Sequence, residues 1–175
     1  YDAVDAAALF DRGAPSRDTA VTTGSQSARG QWHYDALLPF DAADAVTAGE
    51  GATPLVAADR LADELSVDSV YIKDESRNPT GTVYDRGMSV AATAIAARAA
   101  PEAVEPAALA TTGNSGQSAM AYLRRLGVRS YAFVPSRSAF SNKAMINVHG
   151  GEMQVVGGRY SDAADAVDEQ LAGDY

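Results

Sequence analysis

The 175-residue sequence contains no cysteine, and it has only two histidines and two lysines. The absence of cysteine excludes disulfide bonds, thiolate nucleophiles and cysteine metal sites. The histidines, His33 and His149, are isolated from each other, so a histidine-rich metal site is not expected. No apolar run approaches the roughly 20 residues of a membrane span, and no charged start followed by an apolar core indicates a signal peptide. We therefore expect a soluble, cytoplasmic protein with neither a metal site nor a membrane partner.

The charge balance is strongly acidic. Fourteen Lys and Arg residues against 23 Asp and Glu leave a net charge of -9, which repels phosphate backbones and argues against a nucleic-acid partner. Lys73 and Lys143 are the two lysines, and every other basic residue is arginine. Scarce lysine with abundant Asp and Ala fits the solvated acidic surface of halophile-like proteins. An ordinary acidic cytoplasmic protein is the alternative.

Predicted strands alternate with predicted helices from residue 70 onward. Strands are predicted at residues 70–73, 107–110, 129–134 and 152–156, and helices at residues 85–99, 115–126, 138–148 and 161–172. This alternation indicates right-handed βαβ units. It predicts an α/β fold with a roughly four-stranded parallel sheet.

The sequence before residue 70 is less regular. Residues 1–30 predict a short helix followed by an irregular arm, and residues 49–65 predict a glycine-rich turn, a short extended segment and a helix. The apolar and aromatic patch at residues 32–40 is predicted to pack as an anchor, with a ligand platform as the alternative.

Two loops between a predicted strand and a predicted helix carry the polar residues of most interest. Residues 111–118, TTGNSGQS, combine free helix amides, two glycines and several hydroxyls, which together can bind a carboxylate or phosphate. Ordinary helix capping by Ser, Thr and Asn is the alternative. Residues 78–87, NPTGTVYDRG, have the same placement, with Asp85 predicted to cap the helix. We expect the two loops to follow neighbouring strands of one sheet.

Together these motifs resemble a known family. The segment IKDESRNPTGTVYDRGM resembles the pyridoxal-phosphate lysine motif of threonine synthases and their fold-type II, tryptophan synthase beta-like relatives. TTGNSGQS resembles their asparagine loop, and GEGATPL resembles the lead-in to their lysine motif. The resemblance covers roughly residues 30–160 in the expected order. It implies pyridoxal 5'-phosphate as cofactor and a three-layer αβα small domain at residues 67–175. Residues 1–66 would then be an N-terminal arm of a larger, incomplete domain.

The departure from the family pattern falls at the chemistry. Tyr84 stands where the family has the lysine that forms an imine with the cofactor aldehyde, and a phenol has no nitrogen with which to form one. Lys73 and Lys143 match lysines that are not the imine former in the family. In the family, the glycine-rich loop for the cofactor phosphate comes from sequence well beyond residue 175. We therefore predict that this chain forms no internal aldimine, and whether the cofactor still binds without a covalent link stays open.

The resemblance also implies roles for individual residues. Asn114 would face the 3'-oxygen of the cofactor, and Glu50, Thr53, Asp85 and Arg86 would shape the entry to the site and cap helices. A substrate carboxylate would be received by the amides and hydroxyls of Thr112, Gly113, Ser115, Gly116 and Gln117.

Three functions stay open at this point. The first is a threonine-synthase-like protein that cannot carry out the usual mechanism. Its relatives convert a phosphorylated amino acid such as O-phosphohomoserine to threonine. The second is a non-catalytic binding or assembly module that retains the fold. The third is a fragment of a larger pyridoxal-phosphate enzyme. The expected ligand is a small anionic amino-acid-like molecule, and the expected macromolecular partner is a second copy or another chain covering the N-terminal arm.

Overall fold

A three-stranded parallel sheet forms the centre of the molecule in a computed structural model that describes residues 30–98 and 105–172. The strand order is β3-β4-β5, with β3 at Ala107–Ala110, β4 at Ser130–Pro135 and β5 at Glu152–Val156. Both pairings are parallel. Parallel neighbours require a crossover connection, and a helix supplies each crossover. The predicted α/β class with βαβ units is confirmed.

Two further strands and five α-helices complete the described elements. The strands are β1 at Leu55–Ala57 and β2 at Tyr71–Lys73. The helices are α1 at Asp59–Leu65, α2 at Tyr84–Arg98, α3 at Asn114–Arg125, α4 at Phe140–Val148 and α5 at Tyr160–Ala172. Short 3-10 helices lie at Gln31–Leu37, Ala42–Asp44 and Glu75–Arg77.

The parallel sheet is covered on both faces. Alternate residues of a strand point to opposite faces, and β4 follows this rule. Ala132 and Val134 pack with Met120 of α3 and Ile146 of α4. Phe133 packs on the opposite face with side chains of α5. Helix α2 lies against α3, and its Met88 and Ile95 pack at the margin of the first cluster. The three-layer αβα arrangement is therefore confirmed.

The prediction of a fourth parallel strand is wrong. Residues 71–73 do form a strand, β2, but it pairs antiparallel with β1, joining Ile72 to Val56. The sequence pattern identifies an extended segment but not its partner, and a strand only three residues long carries little information about register. The expectation that the two polar loops follow neighbouring strands of one sheet is wrong for the same reason.

Both strands of the antiparallel pair are exposed along their whole length. All residues of β1 and β2 are solvent-exposed, including Leu55, Tyr71 and Ile72, and the nearby Leu65 of α1 is exposed as well. Two-stranded sheets are marginal by themselves and need packing against another element. Among residues 30–98 and 105–172, nothing covers this apolar surface.

The segment before β1 is held to the αβα layers by Trp32. Its side chain is only 2% exposed, whereas Tyr34 and Leu37 of the same 3-10 helix are exposed. The predicted anchor at residues 32–40 is therefore confirmed for Trp32 alone. The helix and irregular arm predicted within residues 1–29 lie outside the described residues. The domain division after residue 66 stays a prediction.

Candidate functional site

The Asn78 turn, defined as residues 78–83, is built by hydrogen bonds from a buried asparagine. The Oδ1 atom of Asn78 accepts from the amide of Gly51 at 3.0 Å, and its Nδ2 atom donates to the carbonyl and carboxylate oxygens of Glu75. The amide of Gly81 closes the turn on the carbonyl of Asn78 at 2.8 Å, with a φ of 77° that suits glycine. The asparagine therefore holds the turn to the lead-in segment.

Asp85 anchors this turn and does not cap the helix as predicted. Its buried carboxylate accepts from the amide of Thr80 at 2.7 Å and from the hydroxyls of Thr80 and Ser118, each at 2.5 Å. The capping contact at the start of α2 comes from Thr82, whose hydroxyl accepts from the amide of Tyr84 at 3.1 Å. An N-cap side chain belongs to the residue just before the first turn of a helix. Asp85 is instead the second residue of α2.

Tyr84 is the first residue of α2, and its side chain is 49% exposed at the end of the Asn78 turn. The amines of the two lysines make hydrogen bonds elsewhere in the structure. The Nζ atom of Lys73 donates to the carbonyl of Thr53, and the Nζ atom of Lys143 donates to the carbonyl of Ser136 at 2.6 Å. Both amines are engaged by main-chain oxygens of connecting segments, one before β1 and one after β4.

The loop from Thr111 to Ser118, called the asparagine loop below, is organised around a buried threonine. The Oγ1 atom of Thr111 accepts from the amides of Gly113 at 3.1 Å and Gly116 at 3.0 Å, and it lies 3.0 Å from the hydroxyl of Ser115. A Cβ atom at Gly116 would lie 2.3 Å from the Thr111 side chain. Glycine at this position is therefore what admits the threonine.

These contacts divide the loop into occupied and available groups. The amides of Gly113 and Gly116 are occupied by Thr111, whereas the amides of Thr112, Asn114 and Ser115 have no partner within the described ranges. The side chain of Asn114 is exposed. A helix N-terminus with unpartnered amides favours a negative charge, so this end of α3 can receive a carboxylate.

The asparagine loop and the Asn78 turn lie side by side although their strands belong to different sheets. The Nε2 atom of Gln117 donates to the carbonyl of Thr80 at 3.1 Å, and Ser118 donates to Asp85. The side chain of Gln117 is buried, and its Nε2 atom is engaged in this hydrogen bond. Gln117 would therefore contribute to a ligand site by holding the neighbouring residues in place. The roles predicted for Tyr84, Asn114 and the loop residues toward a ligand stay predictions.

A buried carboxylate fastens the lead-in segment behind these loops. Glu50 is fully buried and accepts from the indole of Trp32 at 2.9 Å, the hydroxyl of Tyr122 at 2.6 Å and the amide of Ala48 at 2.9 Å. Burial opposes ionisation of Glu50, but polar contacts from Ser89, Tyr122 and Ala48 outweigh it and hold its pKa below the usual value. Burial, followed by the hydrogen bond to Glu50, raises the pKa of Tyr122.

A second carboxylate lies in an ion pair at the edge of the Asn78 turn. The Nε atom of Arg86 is 2.8 Å from Glu75, which also accepts from the hydroxyl of Thr53 at 2.6 Å. The hydrogen bond from Arg86 is the main reason that the pKa of Glu75 falls to about 2. The sequence suggests that Thr53 and Arg86 shape the mouth of the site, and in the structure their contacts join the segment before β1 to Glu75 and to α2.

Several residues of this constellation carry no recognisable signal in the sequence. Ser118 and Tyr122 lie on the same face of α3 at helical spacing, but the pattern does not reveal that both donate to buried carboxylates. Asn142 of α4, whose Nδ2 atom donates to the carbonyl of Thr112 at 3.1 Å, is equally unmarked. In the part of the chain that the structure describes, no cluster of three metal-ligating side chains occurs, and no helix is long and apolar enough to cross a membrane.

Comparison with known proteins identifies the family to which the chain belongs. The model of the family described as pyridoxal-phosphate dependent enzyme matches residues 46–174, which include both loops and the parallel sheet. The chain belongs to the pyridoxal-phosphate dependent enzyme family. Pyridoxal phosphate is the cofactor that this membership implies, as the sequence predicts.

Curated relatives of this pyridoxal-phosphate family chain are threonine synthases. The threonine synthase of Methanocaldococcus jannaschii is 37% identical over 145 residues, which cover 82% of this chain and 35% of that protein. The threonine synthase of Synechocystis is 34% identical over 165 residues, covering 90% of this chain and 42% of that protein. The chain therefore spans well under half the length of these relatives.

Solved structures of the same fold include Escherichia coli diaminopropionate ammonia lyase. Its apo form matches with a TM-score of 0.62 at 24% identity, covering 71% of this chain and 39% of that protein. Its complex with an aminoacrylate-PLP azomethine intermediate matches with a TM-score of 0.63 at 26% identity, covering 85% and 39%. These likenesses confirm the fold-type II assignment.

The residues present fit an anionic ligand better than they fit a covalently held cofactor. The unpartnered amides at the start of α3 and the exposed Asn114 suit a carboxylate or a phenolate-like oxygen. An imine to pyridoxal phosphate requires an amine, and Tyr84, the residue predicted to occupy the position of the imine-forming lysine, has none at the start of α2. The chemistry of the donor set thus disagrees with covalent attachment at the family position.

Proposed function

We propose that this chain is a threonine-synthase-like protein that binds a small anionic amino-acid-like ligand at the asparagine loop and forms no Schiff base with pyridoxal phosphate. The observation that carries the proposal is Tyr84 at the first position of α2, a helix whose Asp85 contacts Ser118 of the asparagine loop, where amides are available to a carboxylate. The hydrogen bonds that Lys73 and Lys143 make to main-chain carbonyls support it further.

The proposed division of labour follows from the contacts. The amides of Thr112, Asn114 and Ser115 receive the ligand carboxylate, because the positive end of α3 stabilises a negative charge there. Thr111 holds the loop that carries them by accepting from the amides of Gly113 and Gly116, and Gln117 and Ser118 hold the Asn78 turn next to this loop. Tyr84 contributes an apolar ring and a hydroxyl at the edge of the site, with no nucleophilic nitrogen.

A cofactor titration of three proteins tests this proposal. Wild type, Tyr84→Lys and Val83→Lys are titrated with pyridoxal phosphate, and the absorption band of a protonated imine is recorded. We expect the band in Tyr84→Lys alone. Val83 is the matched control, because it is exposed and directly precedes α2. A lysine there carries the same amine but does not occupy the first position of the helix. A band of equal strength in wild type would refute the proposal. Equal bands in both lysine variants would refute the assignment of position 84.

The exposed antiparallel sheet favours a second candidate, a binding or assembly module. The apolar side chains of Leu55, Tyr71 and Ile72 lie in the open, and surfaces of this kind mark interaction sites. Under this candidate, a second copy or another polypeptide covers the surface and the asparagine loop serves only for ligand binding. Light scattering should then report a dimer that dissociates in Ile72→Lys. A monomer in wild type would count against this candidate.

A further inference from the structure

One side chain of a neighbouring helix holds the asparagine loop from outside. Asn142 is the third residue of α4, and its Nδ2 atom donates to the carbonyl of Thr112 at 3.1 Å. The same side chain packs against Gly113, because a Cβ atom there would lie 2.1 Å from the Nδ2 atom of Asn142. Glycine at position 113 is therefore what allows this side chain of α4 to reach the loop.

The peptide group between Thr112 and Gly113 has a hydrogen-bond partner at each of its polar ends. Its carbonyl accepts from Asn142, and its amide donates to the Oγ1 atom of Thr111 at 3.1 Å. The carbonyl and the amide of a planar trans peptide point in opposite directions. Partners on the two sides therefore hold this group, called the clamped peptide below, in one orientation.

The next carbonyl of the loop is also held, but by the helix that follows the loop. The carbonyl of Gly113 accepts from the amide of Gln117 at 2.9 Å, which is a helical hydrogen bond of α3. The amides of Thr112 and Asn114, which flank the clamped peptide, have no partner within residues 30–98 and 105–172. Among the groups that orient these two amides, Asn142 is the one contributed by a different helix.

The direction of the Thr112 carbonyl matters for an anion at this place. Its oxygen carries a partial negative charge, whereas the amides beside it lie at the positive end of the α3 dipole. The hydrogen bond from Asn142 keeps this oxygen turned toward α4. Without that bond the peptide can rotate, because Gly113 permits φ angles of either sign. The carbonyl oxygen would then turn toward the flanking amides and repel a carboxylate there.

We propose that Asn142 is a positioning residue for ligand binding at the asparagine loop. It holds the clamped peptide so that the amides of Thr112 and Asn114 stay available to a ligand carboxylate. In this role Asn142 acts through the peptide and not by contact with the ligand. The carboxylate as ligand group rests on the proposed function, whereas the orientation of the clamped peptide rests on the contacts of Asn142 and Thr111 alone.

Amide hydrogen exchange, measured by NMR on the full chain, tests the clamp. The proteins are wild type, Asn142→Leu, Asn142→Ala and the control Asn147→Leu. Leucine keeps the branching of asparagine but has no donor, and Asn147 is an exposed residue of the same helix. In wild type the amide of Gly113 should exchange more slowly than that of Thr112. We expect this protection to fall about tenfold in both Asn142 variants, because a hydrogen bond is lost, and to persist in the control.

Isothermal titration calorimetry on the same four proteins tests the consequence for binding. The probes are L-threonine and 1-amino-2-propanol, which has the same skeleton without the carboxylate. We expect both Asn142 variants to bind L-threonine about five- to tenfold more weakly than wild type. Asn147→Leu should match wild type, and 1-amino-2-propanol should not distinguish the proteins.

Equal exchange at Gly113 in wild type and Asn142→Leu would show that Asn142 does not hold the peptide, and it would overturn the proposal. Faster exchange throughout the chain in Asn142→Leu would overturn it as well, because the effect would then be a general loss of stability. So would an equal loss of affinity in Asn147→Leu. If wild type does not bind L-threonine, the proposed function is contradicted, while exchange at Gly113 that depends on Asn142 still supports the clamp. The two proposals can therefore fail separately.

Discussion

Single residues decide both the chemistry and the stability of this site. Under our proposal, Tyr84 stands at the position of the amine that the family chemistry needs, whereas Glu50 holds the lead-in segment with a carboxylate that is fully buried. The first is a prediction from the resemblance of residues 78–87 to the lysine motif of the family, and it stays a prediction. The sequence does not show the second, because the donors to Glu50 come from Trp32 and Tyr122, far away in the chain.

Replacement of Glu50 should destabilise the fold. Glu50→Gln removes the charge and presents an NH2 group to donors that need an acceptor, so we expect a loss of about 2 kcal/mol in the free energy of unfolding. Urea denaturation near neutral pH measures this loss. Glu64→Gln, at an exposed position of α1, is the matched control and should change little. A loss of similar size in the control would contradict the assignment.

The same carboxylate should make stability depend on pH. The folded-state pKa of Glu50 lies below its ordinary value of 4.5, so its ionised form stabilises the fold above that pH. This stabilisation is lost as the pH falls from about 4.5 through the folded-state pKa. We expect wild type to lose unfolding free energy more steeply than Glu50→Gln in this window. Parallel slopes in denaturation measured at several pH values would disprove this linkage.

At the scale of elements, the two loops form one unit through α2 and α3. The alternation of strands and helices in the sequence predicts β3, β4, β5 and the helices between them, because each is long enough to show its period. It does not predict the pairing of β2 with β1, because strand partners depend on contacts that a local pattern does not contain. Nor does it predict the contact between Gln117 and Thr80, which spans two sheets.

The asparagine loop should tolerate no side chain at Gly116. Gly116→Ala would place a Cβ atom 2.3 Å from Thr111, which must then move away from the amides that it accepts from. We expect a loss of about 1–3 kcal/mol in unfolding free energy together with weaker anion binding. Thermal denaturation measures the first effect, and calorimetric titration with an amino acid, which carries the carboxylate proposed for this loop, measures the second.

Gly87→Ala supplies the control for this substitution. Gly87 lies within α2, and a Cβ atom there meets nothing within 4 Å. Alanine is the better helix former, so this variant should gain about 0.5–1 kcal/mol. If both alanine variants changed stability in the same direction, the close packing of Thr111 against Gly116 would not be the cause.

For the whole molecule, the net charge disfavours association between copies, whereas the exposed apolar surface favours it. The charge of -9 keeps copies apart and strains the compact state by self-repulsion. The exposed β1-β2 pair offers apolar surface for association. The prediction of a halophile-like acidic surface belongs to this scale and stays a prediction. The acidic-surface prediction follows from composition. The exposure of β1 and β2 could not be predicted from the sequence, because it depends on the pairing of the two strands with each other.

Salt should therefore stabilise the chain at neutral pH. Raising sodium chloride to about 1 M reduces the Debye length to about 3 Å and screens the self-repulsion, so we expect a higher midpoint of thermal unfolding. At the sequence pI, about 4.5, the gain should shrink because little net charge remains to screen. Differential scanning fluorimetry at both pH values measures this difference. A midpoint that falls with salt at neutral pH would contradict it.

The central claim is that the chain keeps the fold and loops of its family without the ability to form an imine. The most direct measurement treats wild type with pyridoxal phosphate and borohydride, followed by peptide mass mapping. We predict no reduced cofactor adduct on Lys73 or Lys143, which are engaged by main-chain carbonyls. A stoichiometric adduct on either lysine would contradict the claim.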